Sequence, residues 1–312
     1  MDTPASLEFP QKIAFLILAH SDPSHLESLI QSLSGHDVYV HWDKKSGEIP
    51  NIPGATFIED RCSVFWAGFT MVEATVALMR AARASNEPYI KYVLLSGADY
   101  PIRPLTELTQ KFEADNDWNY LNAVKVDDSE HLSALMKQRL WRDGVLPNAL
   151  PRTSLIKKIE RFIRGSVNSL IRKIPKNTPD AVLYHGSQWW ALSAAAVDTV
   201  IETFLKVPSM TAFYRFTFAS DEQYVHTVIR NSALSSKCDP PLPYEGRGTY
   251  KTANLHIVDS SLTKWFSVED KDQIIGSNKY FVRKLNSSKS ADLVDWLDDE
   301  VLSAANVNVT ES

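Results

Sequence analysis

The first apolar stretch of the chain is unbroken: Ile13-Ala-Phe-Leu-Ile-Leu-Ala19 follows Lys12. A short run with no polar relief fits a strand buried on both faces. His20-Ser21-Asp22-Pro23 ends it, and Leu26, Leu29, Ile30 and Leu33 then recur at helical spacing. The pattern predicts strand, turn and helix, with Ser21 or Asp22 as the cap ahead of Pro23. Val38–Trp42 predicts a second strand ending at Asp43-Lys44-Lys45, and Ala55–Glu59 a third. Phe69–Ala84 predicts a helix carrying Val72, Val76 and Met79 on one face. The run from Tyr92 predicts a fourth strand, which breaks at Gly97 and delivers Asp99, Tyr100 and Pro101. Strands alternating with helices imply a mostly parallel sheet flanked by helices, an α/β fold. In such sheets ligands sit beyond the carboxyl ends of the strands, where this pattern places Asp99. A plainer role for Asp99, capping a turn that Pro101 stiffens, stays open beside it.

The second half is less periodic. Residues 126–150 are polar and mixed. Residues 151–176 hold Arg152, Lys157, Lys158, Arg161, Arg164, Arg172, Lys173 and Lys176 against one acid, Glu160. Their apolar residues (Ile156, Ile159, Ile163, Val167, Leu170, Ile174) recur at three- and four-residue steps. This predicts a basic amphipathic helix, which either lies on an anionic membrane or packs on the domain with a solvated basic face. His185-Gly-Ser-Gln188-Trp189-Trp190 sets two indoles beside amide and hydroxyl groups, a set that suits stacking and hydrogen bonding to a sugar and equally suits a core. Helices are predicted over Ala194–Leu205 and from Ser220, which reads as an N-cap with Asp221 and Glu222 in the first turn. Residues 236–254 form a Pro- and Gly-rich loop, a candidate lid, and Leu255–Asp259 predicts a late strand. Tyr280–Leu285 places Arg283 and Lys284 together, a pair able to neutralise a diphosphate. After Ser287 the chain is polar except for Leu293, Trp296, Leu297, Val301 and Leu302, and the tail Asn306–Ser312 is expected to be disordered.

Composition narrows the function classes. A net charge of −5 over 312 residues gives no global case for nucleic acid. No GxGxxG follows the first strand and no GxxxxGK[ST] occurs, so phosphate must be held by side chains. Cys62 and Cys238 are too few for a disulfide framework. Met1–Gln11 lacks the apolar core of a signal peptide. A cytoplasmic protein is expected, at most peripheral at the inner face of a membrane.

Taken in order, eight segments resemble the core-2/I-branching glycosyltransferases, which include β-1,6-N-acetylglucosaminyltransferases and peptide O-xylosyltransferases. They are Leu18-Ala-His20, His41-Trp-Asp43-Lys-Lys-Ser46, Arg61 through Trp66-Ala-Gly68, Leu95-Ser-Gly-Ala-Asp-Tyr-Pro-Ile102, Gly186-Ser-Gln-Trp-Trp190, Ser220-Asp-Glu222, His256-Ile-Val-Asp259 and Phe281-Val-Arg-Lys284. Ala98-Asp-Tyr-Pro-Ile-Arg103, His256–Asp259 and the Arg283-Lys284 pair look more like the xylosyltransferase branch. The resemblance implies a GT-A-like fold over 12–286, with a nucleotide-binding half (12–125), the basic insert (151–176) and an acceptor and catalytic half (180–286). A tail (1–11) and a C-terminal helix and tail (287–312) lie outside it.

The resemblance also implies inverting transfer of GlcNAc or xylose from a UDP-sugar to the hydroxyl of a glycan, lipid-linked or peptide acceptor, without cofactor or divalent metal. Glu222 maps onto the catalytic base. Ala19, His20, Asp43, Val64, Phe65 and Trp66 map onto nucleotide contacts, and Arg283 and Lys284 onto the diphosphate. Asp99, Gln188 and Trp189 map onto the sugar and acceptor region. Gln188 stands where the xylosyltransferases carry an acid, and the cysteine framework and transmembrane anchor of the animal enzymes are missing, which implies a bacterial, cytoplasmic member. Two other classes stay in play: a non-catalytic glycan- or nucleotide-binding module, for which a retained base has no use, and a membrane adaptor built on 151–176.

Overall fold

The structure, a computed structural model, describes residues 11–144, 153–174 and 176–303. The expectations placed on Met1–Pro10, on residues 145–150, on Pro151, Arg152 and Pro175, and on Asn306–Ser312 lie outside the described residues. The strands are β1 (Ile13–Ala19), β2 (Asp37–Trp42), β3 (Thr56–Phe57), β4 (Lys91–Ser96), β5 (Asp99–Pro101), β6 (Ala123–Lys125), β7 (Tyr184–Gly186), β8 (Ala191–Leu192), β9 (His256–Val258) and β10 (Phe281–Arg283). The helices are α1 (Pro23–Ser32), α2 (Thr70–Ala84), α3 (Leu105–Ala114), α4 (Glu130–Lys137), α5 (Ser154–Ile171), α6 (Ala194–Lys206), α7 (Pro208–Tyr214), α8 (Tyr224–Arg230), α9 (Lys271–Ile275) and α10 (Ala291–Trp296).

The main sheet has the order β3-β2-β1-β4-β8. Its first four strands are parallel, and β8 runs antiparallel to β4. β1 is central, which is why its run has no polar relief. Alternate side chains of β1 and β4 feed opposite faces. Ala14, Leu16, Tyr92 and Leu94 pack with α2, α6 and α8. Ile13, Phe15, Ile17, Val93 and Leu95 pack with α1, α3 and α10. The chain leaves β1 towards β2 and returns across to β4, so strand order reverses between them and a crevice opens at their carboxyl ends. Gly97 lies there, its N–H donating to Leu18 O at 2.9 Å, and a Cβ on it would come within 3.0 Å of the Ala19 Cβ.

Two small sheets complete the frame. In β5-β10-β9, Arg283 stands opposite Asp99 across an antiparallel pair and beside Val258 in a parallel one. In β6-β7, Val124 stands opposite His185. The apolar stretch after Ser290 belongs to the second core: Leu293 and Leu297 are fully buried, and the Tyr100 hydroxyl donates to Asp298 Oδ1 at 2.8 Å.

Three expectations change. Asp99 is not in an open loop; it begins β5. The helix expected from Ser220 begins at Tyr224, because Ala219 takes a left-handed φ of 52° and sends Ser220–Glu222 into a separate 3-10 turn. Helices α3, α4, α7 and α9 escaped the periodicity because each buries only one to three side chains, too few to show a period.

Gly186 is the tightest point of β7, where a Cβ would overlap the Asn122 carbonyl oxygen and the buried His226 ring. Gly186→Ala is expected to lower unfolding free energy by about 1–3 kcal/mol in urea denaturation. An unchanged midpoint would show that β7 shifts freely.

Candidate active site

Asp99 is fully buried at the join between the main sheet and the β5-β10-β9 sheet. Its Oδ2 accepts the Ser96 N–H at 2.7 Å and lies 3.2 Å from His256 Nε2. Its Oδ1 accepts from Ser96 Oγ at 2.7 Å and from Arg283 Nη1 at 2.9 Å. Burial by itself pushes this carboxyl up, but the Arg283 guanidinium, the His256 contact and the Ser96 N–H together hold it below the usual carboxylate range. Arg283 also donates to Ser96 Oγ, and its guanidinium lies 4.5 Å from the centre of the Trp189 ring, a cation–π contact. Lys284 follows it, half-buried, its ammonium pushed down by burial and then by Arg283. Gln188, 8% exposed, has no partner for its Nε2 among the described residues.

At the ends of β1 and β2, Asp43 organises the next loop. Its N–H donates to Ala19 O at 2.8 Å. Its Oδ1 accepts from Lys45 N at 2.9 Å and Val64 N at 3.3 Å. The Lys45 ammonium reaches Val64 O and lies 4.1 Å from the Phe65 ring centre. His20 is exposed beside them, and its carbonyl accepts from Ser46 Oγ at 2.6 Å.

A cavity of about 350 Å³ lies on the other side of Trp66. Val124, Val126, Leu132, Met136, Leu242 and Phe218 give it apolar walls, and His131, His185, Asp221 and Glu222 give it polar ones. Residues 242–248, within the loop 236–254 expected as a lid, also line it. Glu222 Oε2 lies 3.9 Å from His185 Nε2. Burial, reinforced by His131, pushes the His185 imidazole down to about 4, so Glu222 faces a neutral ring at pH 7. Burial pushes the Asp221 carboxyl up to about 6, against hydrogen bonds from its own and the Glu222 N–H. Trp66 is 72% exposed at the mouth, edge-on to Phe218 at 5.9 Å, with the Arg142 guanidinium 5.3 Å from its ring centre. Ala67 (φ 58°) and Ala219 (φ 52°) are both left-handed, and Ala219 N donates to Ala67 O at 3.1 Å. Alanine in that region carries a cost of about 1–2 kcal/mol, and such strain concentrates at functional sites.

The predicted residues thus fall into three groups. Arg283 touches both Asp99 and Trp189, while Ala19, Asp43, Val64 and Phe65 share the loops at the ends of β1 and β2. Glu222 and Trp66 line the cavity, whereas Trp66's neighbours Val64 and Phe65 do not. Asp99 does not line the crevice as expected: with no exposed surface and both oxygens engaged, it acts by holding Arg283. The segment 185–189 joins the first and third groups, since His185 faces Glu222 and Trp189 lies under Arg283. Four residue steps span at most about 14 Å. The sequence pattern placed His185 with the indole pair and Asp221 beside Glu222 in a first turn, but gave no signal for His131, which joins them in the cavity wall.

Residues 13–241 match the family described as Core-2/I-Branching enzyme. Over 93% of the chain it is similar to xylosyltransferase 1 of Rattus norvegicus at 23% identity, covering 35% of that protein. Xylosyltransferase 1 of Homo sapiens (24% identity, 30% covered) and xylosyltransferase 2 of Mus musculus (23%, 33% covered) align over the same 93% share of the chain. The chain spans about a third of the length of these curated relatives.

The Asp99 carboxyl is depressed, so its contribution to stability is complete above the unfolded-state value of about 4 and is lost as pH falls below it. Asp99→Asn is expected to cost about 3 kcal/mol at pH 7 and to flatten the acid limb of the stability curve. A variant as stable as the parent at pH 7 would contradict this. Asp221 has the opposite sign: its raised value makes it a cost that is present above about pH 6 and absent below the unfolded-state range. Asp221→Asn should therefore raise Tm at pH 7 to 8 and leave it unchanged near pH 3, as read by scanning calorimetry.

Proposed function

The chain belongs to the core-2/I-branching enzyme family, and from that membership we propose that it is an inverting, metal-independent glycosyltransferase of GT-A-like fold. It moves a sugar, xylose or GlcNAc, from a UDP-sugar to an acceptor hydroxyl in the building of a cell-surface glycan or polysaccharide. The observation that carries this is that one short segment, 185–189, meets both ends of such a site: His185 lies 3.9 Å from Glu222 in the cavity wall, and Trp189 lies under the Arg283 guanidinium that Asp99 holds. A transferase needs both ends: a base at the acceptor and a fixed cation at the leaving group.

Ala19, His20, Asp43, Val64 and Phe65 take the nucleoside end of the donor, at the carboxyl ends of β1 and β2. Arg283 and Lys284 meet the diphosphate. The sugar lies between, with Gln188 Nε2 as a buried donor for one of its hydroxyls and the Trp189 indole backing Arg283. The acceptor enters past Trp66, whose exposed ring at the cavity mouth suits stacking on a sugar or a peptide. Glu222 takes the proton from the acceptor hydroxyl as its oxygen attacks the anomeric carbon. The bond from that carbon to the diphosphate oxygen breaks on the opposite face, which inverts the centre. The negative charge that develops on the leaving UDP falls on Arg283 and Lys284, already in place and needing no reorganisation. The names of the similar proteins favour xylose as the first donor to try.

Glu222→Gln is expected to cut transfer from the accepted UDP-sugar by about 10²–10⁴-fold. It should still show the thermal shift that UDP gives the parent protein. Chelation with EDTA should leave parental transfer unchanged. An active Glu222→Gln variant would remove the base assignment, and loss of transfer on chelation would refute the metal-independent mechanism.

A further inference from the structure

Helix α5 spends only part of its apolar surface on the protein. Ile156, Ile163, Val167 and Ile171 are partly covered, and Glu160 is buried on the same side. Leu155 (64%), Ile159 (41%), Phe162 (75%) and Leu170 (66%) are exposed. At 3.6 residues per turn these four fall within an arc of about 80°, one continuous stripe along the helix. Among the described residues, no side chain of α5 joins either hydrophobic core. Lys157, Lys158, Arg161, Arg164 and Arg172 occupy the arc beside the stripe, and Lys173 follows the helix end. The only acid in α5, Glu160, faces the protein, so the outer surface is purely cationic in a chain of net charge −5. The helix is moored, not loose: Asn168 Nδ2 donates to Trp141 O at 3.0 Å and Trp141 N to Asn168 Oδ1 at 2.7 Å. The next residue, Arg142, lies over Trp66, so α5 is tied to the mouth of the cavity.

We propose that α5 seats the protein on an anionic lipid surface, with Leu155, Ile159, Phe162 and Leu170 in the interfacial layer and the basic arc among the headgroups. Charge decides between occupants. A second copy in a two-fold contact would set like cations against each other around the stripe. A soluble polyanion would satisfy the cations and leave Phe162 and Leu155 in water. An anionic bilayer satisfies both faces at once. Among the described residues no helix is long and apolar enough to cross a membrane, so this contact is peripheral. Membrane seating needs neither donor nor acceptor and is independent of the proposed transfer.

The full chain is to be sedimented with vesicles of phosphatidylcholine mixed with phosphatidylglycerol, and with phosphatidylcholine alone. The protein should partition to the mixed vesicles at least about tenfold better than to the neutral ones, and rising salt should weaken it. Phe162→Asp should cut partition to the mixed vesicles by about tenfold or more without moving Tm, since Phe162 is exposed. Glu222→Gln should bind as the parent does. Failure of the parent protein to bind mixed vesicles would overturn the proposal. So would binding that Lys157→Glu/Arg161→Glu abolishes but Phe162→Asp leaves intact, which marks a plain polyanion patch. A dimer seen by light scattering that Phe162→Asp dissolves would overturn it as well, in favour of a second copy.

Discussion

The buried pair of Asp99 and Arg283 is the constraint on which the rest of the site depends. Asp99 is contacted by Ser96 at the end of β4, by His256 on β9 and by Arg283 on β10, and its carbonyl lies 3.2 Å from His25 Nε2 on α1. One residue thereby ties the main sheet and the second sheet through its carboxylate and a flanking helix through its carbonyl. A buried charge is tolerated only when pairing and hydrogen bonds offset its desolvation, and here both oxygens are fully used. The result is a guanidinium fixed in one orientation over Trp189, which is the preorganisation that stabilising a leaving group requires.

The cavity rests on a different kind of constraint. Its wall holds two alanines in the left-handed region, bonded to each other through Ala219 N and Ala67 O. The second of them turns the chain so that Asp221 and Glu222 stand ahead of α8 instead of inside its first turn. Burial then separates the ionisable neighbours: His185 is kept neutral, and Asp221 is pushed towards neutrality. Strain and desolvation both lower stability, and both sit where the proposed chemistry takes place, as expected when stability is traded for function.

The outer surface shows the same division of labour. The two cores use the apolar faces of the sheet, α1, α2, α6 and α8, whereas α5 contributes to neither and shows its stripe to solvent beside a cationic arc. Its mooring through Asn168 to Trp141, the neighbour of the Arg142 that lies over Trp66, holds α5 from the side away from that stripe, so the helix is tied to the cavity mouth while its stripe stays open to solvent.

By itself the sequence determined the parallel strands β1, β2 and β4, the long helices α1, α2 and α6, and the amphipathic character of α5. Those features rest on contacts between near neighbours along the chain, which runs and three- to four-residue periods report directly. It also identified, by motif, the residues that form the Asp99–Trp189–Arg283 cluster and the loop around Asp43. Only the tertiary structure decided that Asp99 is sealed inside β5 and works through Arg283, that Trp66 leaves the nucleoside side for the cavity, and that His131, His185 and Asp221 share that cavity with Glu222. It alone decided which half of the apolar surface of α5 is covered. Each of these outcomes depends on groups brought together from distant parts of the chain, Asp99 and Arg283 being 184 residues apart, and burial created by such contacts leaves no local trace in the pattern of residues.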